Sequence, residues 1–86
     1  MIAGRTTREL AVAALSGLPA LELRIRDQHP IDVRAGQETL ELAVGGRPVA
    51  DVVVREVGEL LSSVEIWTED PAISARILRE LRPVLS

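Results

Sequence analysis

Few side chains in this 86-residue sequence are of types that do chemistry. His29 is the single histidine, and imidazole is the side chain whose ordinary pKa lies near neutrality. As a general base it would need an orienting partner, and Asp27 and Asp32 stand near enough in sequence to serve. Its position before Pro30, in the turn-forming run Asp27-Gln28-His29-Pro30, is equally that of a solvated turn residue. Glu65, Glu69 and Asp70 form an acidic cluster. Paired carboxylates exchange protons or hold a hard cation, but the plainer reading is a solvated face, with Asp70 capping a helix. Ser16, Ser62, Ser63, Ser74 and Ser86 have no companion base at a readable spacing. Cysteine is absent, which excludes a disulfide framework, a thiolate zinc site and a thiol nucleophile; one histidine excludes a His-rich metal site. No catalytic constellation emerges. The expectation is a non-enzymatic chain without cofactor or metal.

Three features suit binding instead. Gly45-Gly46-Arg47-Pro48 resembles a glycine turn feeding a helix, where amides of the first turn attract anions, so Gly46 and Arg47 are candidate anion-binding residues. The run lacks the Lys-Ser/Thr of a phosphate loop and the three glycines of a dinucleotide site, and a plain turn explains it as well. Arg76, Arg79 and Arg82 make a row at helical spacing that would dock an acidic partner or simply face solvent. Trp67 is the sole aromatic residue. Strand parity sets it opposite Val64 and Ile66, between Glu65 and Glu69. On an open face it would be a contact residue, since tryptophan is enriched at binding hot spots; a covering element or a bulge would make it a core residue. The candidate partner-binding set is therefore Trp67, Glu65, Arg76 and Arg79.

Thirteen acidic residues against ten arginines leave a formal charge of −3, a balance that argues against nucleic acid. No apolar run approaches the roughly 20 residues of a membrane helix, and the first residues have no apolar signal-peptide core. A soluble, cytoplasmic, single domain over 1–86 is expected, with no direct membrane insertion. Its small aliphatic core would gain from oligomerisation.

The elements that must position these residues follow from periodicity. Thr6-Thr7-Arg8-Glu9 fits a capping box and opens a helix over 6–17, with Leu10, Ala14 and Leu18 on its apolar face and Gly17 as a left-handed stop. Leu21, Leu23 and Ile25 alternate with Glu22, Arg24 and Arg26 and predict a strand. Ile31 and Val33 predict a second short strand, with a loop at Ala35-Gly36-Gln37. Leu40, Leu42 and Val44 predict a third. Residues 48–62 fit a helix by the spacing of Ala50, Val53, Val54, Val57, Leu60 and Leu61, with a strand over 49–55 as the rival reading. Val64 to Thr68 reads as the last strand. Asp70-Pro71 starts a final helix whose buried stripe is Ile73, Ile77, Leu78, Leu81 and Leu85, ending at Pro83. The expected fold is α+β, a two-layer sandwich in the order α-β-β-β-α-β-α, with helices on one face of a short, mostly antiparallel sheet.

Residues 6–69 resemble the bacterial alkaline-shock protein family. The likeness lies in the helix end and turn Leu15-Ser16-Gly17-Leu18-Pro19-Ala20-Leu21, in Glu38 to Val49 with its Gly45-Gly46-Arg47-Pro48 turn, and in the strand Val64-Glu65-Ile66-Trp67-Thr68-Glu69-Asp70. It departs in the order of Pro and Gly after the first helix, in a missing Tyr, and in an added C-terminal helix over 71–82. The resemblance implies a non-enzymatic, oligomerising or scaffold module linked to envelope stress, with no catalytic residues to carry over. It also favours the helix over 48–62.

The expectation is thus a small protein–protein interaction or self-assembly module. A small ligand-binding or regulatory accessory domain is the alternative, with the turn at Gly46 and Arg47 as its site. An antitoxin or immunity-type protein is a special case of the first class, its acidic charge suiting a basic partner.

Overall fold

The computed structural model describes residues 1–26 and 37–86. Among these the order is β1 (Ile2–Thr6), α1 (Arg8–Ser16), β2 (Glu22–Arg26), β3 (Gln37–Val44), β4 (Arg47–Gly58), β5 (Leu61–Trp67) and α2 (Pro71–Leu81), followed by a short 3-10 turn, Arg82–Val84. The five strands form one antiparallel sheet in the order β1-β5-β4-β3-β2. The fold is α+β, as expected, but the element order is not α-β-β-β-α-β-α. A strand precedes the first helix, and a strand replaces the middle one. The expected strand at Ile31 and Val33, the loop residues Ala35 and Gly36, and His29 with Asp27 and Asp32 lie outside the described residues.

The segment 48–62 is the main correction. Gly45 and Gly46, with φ of 57° and 82°, make a two-residue hairpin turn that aims the chain straight back along β3. Positive φ at both central residues is what such a turn requires, and glycine supplies it without steric cost. The valines then alternate: Val52 and Val54 are buried, while Val53 and Arg55 face the other way. A run of valines satisfies helical and strand spacing alike, and β-branched side chains favour the pleated surface. Pro48, read as a first helical residue, sits near the start of β4, where a missing N–H is tolerated. Opposite Leu42 and Ala43 the register shifts, with Val49 of β4 as the extra residue of a bulge; at this end of β3 Ala43 is buried and Val44 is exposed rather than buried with Leu40 and Leu42.

The first helix spans Arg8–Ser16 rather than 6–17, and its cap lies one residue later than expected. Thr6 belongs to β1, where it pairs with Ser62 and is buried. Thr7 takes the cap, its Oγ1 accepting from the Leu10 amide at 3.2 Å. The buried stripe is accordingly Ala11, Leu15 and Leu18, with Leu10 exposed. Gly17 has ordinary helical φ; the left-handed residue of this turn is Ala20. Strand β1 is held on both sides. The Ile66 amide donates to the Met1 carbonyl at 2.8 Å, and Arg5 and Ser86 exchange backbone hydrogen bonds on the outer edge.

The last strand and helix follow the sequence closely. Val64 and Ile66 point inward, and Asp70 caps α2 by accepting from the Ala72 amide at 2.9 Å, with Pro71 next to it. Ile77 and Leu81 are fully buried. With Ala11, Leu15 and Leu18 they join Leu40, Leu42, Val52, Val54, Val64 and Ile66 in a single core, so both helices pack on the same sheet face. At the rim of this face the Arg8 guanidinium donates to the Glu38 carboxylate and ties the start of α1 to β3. No described helix is long and apolar enough to cross a membrane.

Candidate functional site

The site of interest is built at one end of the sheet. Strand register runs Arg24, Glu41, Asp51 and Trp67 across β2, β3, β4 and β5, and the next row runs Thr39, Val53, Glu65 and Ile2 across β3, β4, β5 and β1. These residues are out of phase with Leu40, Val52 and Ile66, so they occupy the sheet face opposite the helices. Trp67 is 58% exposed there, the open alternative of the two that parity allowed. Its indole Nε1 donates to Glu65 Oε2 at 3.2 Å, which holds the ring along the strand end.

Just past Trp67 the chain leaves the sheet. Thr68 Oγ1 donates to the Val49 carbonyl at 2.8 Å and accepts from the Asp70 amide at 3.2 Å. One hydroxyl thereby fastens the start of α2 to the start of β4. The pairing of β4 with β5 begins at Asp51 and Trp67, so Arg47 to Ala50 have a strand partner only on the β3 side. This protruding arm, the end of β5 and the first turn of α2 enclose an open groove of about 830 Å³. Val44, Pro48, Val49, Trp67 and Ile73 give it apolar walls; Arg47, Asp51, Glu69 and Asp70 supply its charges.

Of the candidate residues, Trp67, Glu65 and Arg47 are therefore brought to one end of the molecule. Arg76 is directed elsewhere: its guanidinium donates to the Pro19 carbonyl and ties α2 to the turn after α1. Arg79 is exposed on α2. Gly46 belongs to a hairpin, not to a helix start, so the amide-lined anion site expected there has no helix to supply it. Asp70 is engaged as a cap, and Glu65 holds the indole. Among the described residues no group of three or more His, Cys, Asp or Glu is placed to hold a metal ion. The acidic cluster splits because β5 ends between Glu65 and Glu69.

The groove itself was not legible as a groove. Its one signal was Gly45-Gly46 between two β-rich runs, a hairpin mark that sets where β4 begins; how far β4 overhangs β5 depends on where β5 ends. Away from the groove, a hydrogen bond from Arg8 holds the Glu38 carboxyl below its ordinary value, against partial burial. No protein-family model, curated protein or solved structure matches the chain.

Proposed function

We propose that this chain is a non-catalytic protein-interaction module, a two-layer α+β sandwich of the cytoplasm that assembles with itself or with a partner protein through the sheet end bearing Trp67. The observation that carries this reading is the exposure of Trp67 on a face that no described helix covers. An indole brings a large apolar surface at small conformational cost, and a single aromatic residue left outside an aliphatic core contributes little to folding. Val53 and Ile2 add apolar surface beside it, and Glu65 and Arg47 give a polar rim.

Native mass by light scattering over a range of concentrations tests the self-assembly form. A mass above that of one chain, reduced by Trp67→Ala, is the expected result. Association unchanged by that substitution contradicts Trp67 as the contact. A single-chain mass at every concentration rules out obligate self-assembly and leaves a different partner protein or a small ligand.

The groove favours a second reading, a small-ligand or regulatory accessory domain, because its volume lies in the range of small-molecule sites. Thermal unfolding against a panel of anionic metabolites tests it. A specific ligand at 100 times its Kd stabilises by about 2.7 kcal/mol, and no shift across the panel ends this reading.

A further inference from the structure

We infer that the groove between the overhanging start of β4, Trp67 and the first turn of α2 receives an extended, basic segment of a partner protein, one that alternates arginine or lysine with aliphatic residues. This rests on the interaction reading above and assigns the chemistry of its partner. Two independent features of the site point to that occupant.

The first is backbone geometry. Arg47 to Ala50 form the only part of β4 that lacks a β5 neighbour, because β5 stops at Trp67. A strand with one open side offers backbone donors and acceptors to an extended guest, the basis of recognition by strand addition. Pro48 and the Thr68 hydroxyl, which already meets the Val49 carbonyl, limit that edge to a short stretch. Such an edge suits a short extended segment. Alternating side chains of such a segment would place aliphatic groups over Val49 and Ile73 and the others toward the groove mouth.

The second is charge. The lining carries Asp51, Glu69 and Asp70 against Arg47, and Glu65 stands beside the indole. Asp70 caps α2 and Asp51 has an interaction within the fold, so Glu69 is the exposed carboxylate a guest meets first. The neighbouring Arg24 is paired with Glu22 at 3.2 Å. The positive end of α2 is met by its own cap. The face of Trp67 then adds a second attraction for a cation, since arginine and lysine bind the negative face of an indole. An acidic guest would meet repulsion from the carboxylates and the indole face and, among the lining residues, attraction from Arg47 alone.

Trp67 is the only aromatic residue, so its emission reports the groove directly. A short synthetic peptide alternating Arg and Val is titrated into the whole chain, with Glu–Val and Ser–Val peptides as controls. The expected result is a saturable change in Trp67 emission with the Arg–Val peptide, weakened by added salt and absent with Glu–Val. Glu69→Lys is expected to weaken binding several-fold. Glu59→Lys makes the same charge change at the β4–β5 turn, at the far end of the strands, and is expected to leave binding unchanged. The inference is overturned if the Glu–Val peptide binds as well as the Arg–Val peptide, or if Glu59→Lys weakens binding as much as Glu69→Lys. If no peptide binds while light scattering still shows association that depends on Trp67, the basic occupant is wrong and the interaction reading survives. If neither is seen, the basic occupant and the self-assembly form of the interaction reading both fall.

Discussion

The two faces of β4 and β5 are made by alternate residues of the same strands, yet they have opposite character. Val52, Val54, Val64 and Ile66 point under α1 and α2 and are almost entirely removed from water. Asp51, Val53, Glu65 and Trp67 point the other way, where Trp67 keeps more than half of its surface exposed. The core cluster of the inner face is built of aliphatic side chains from both layers, and the largest apolar side chain of the sequence is spent outside it. The comparison teaches that strand parity separates a buried face from an open one: changes on the first should unfold the chain, and on the proposed interaction reading changes on the second should leave it folded and alter what it binds.

The comparison breaks most sharply at Leu42. This side chain is fully buried, and Leu42→Ala removes it from the middle of the core. A loss of about 2–5 kcal/mol in unfolding free energy is expected from urea denaturation, a large part of the stability of a domain this small. On the outer face, Trp67→Ala is expected to change unfolding by no more than about 0.5 kcal/mol while abolishing association. A large loss of stability in that variant would mean that the indole is a core group.

A subtler test sits at the margin of the inner face. Thr6 is buried beside Ser62, and its Oγ1 has no hydrogen-bond partner. Thr6→Val keeps the shape and removes the unsatisfied hydroxyl, so a gain of about 1 kcal/mol is expected in the same denaturation experiment. A loss would show that the hydroxyl meets water or a backbone group in solution.

The smallest effect concerns the Arg8–Glu38 pair. The hydrogen bond from Arg8 lowers the Glu38 pKa in the folded chain, so this pair stabilises above the ordinary carboxyl value of 4.5. That contribution is lost as pH falls through the lowered folded value, because the unfolded chain takes up its proton first. The pair is partly exposed, and Glu38→Gln should cost less than about 1 kcal/mol at neutral pH and remove this part of the acid dependence. Equal acid dependence in the variant would assign it to other carboxylates.

The parts of the fold legible in the sequence are those where one period dominates. Val64, Ile66 and Trp67 alternate strictly, and Asp70-Pro71 marks a helix start that no other element uses so well. The side of the sheet that carries Trp67 followed from that alternation alone, although its exposure depended on where the helices packed. Strand β4 was hidden because a run of valines meets both spacings, and the deciding signal was the Gly45-Gly46 turn before it. Strand β1 was hidden for another reason. Ile2-Ala3-Gly4-Arg5 has no clear alternation, and its extended form comes from pairing with β5 on one side and Ser86 on the other. That pairing also takes Thr6 from the helix and passes the cap to Thr7. The groove depends on the unequal lengths of β4 and β5 at one end, which no local pattern encodes.

The most direct measurement is acrylamide quenching of the single indole as the chain is diluted from high concentration. Efficient quenching with solvent-like emission is predicted at the lowest concentration, with protection growing only as assembly or a bound peptide covers Trp67. An indole shielded from acrylamide in the isolated single chain would contradict the account, because it would place Trp67 in the core.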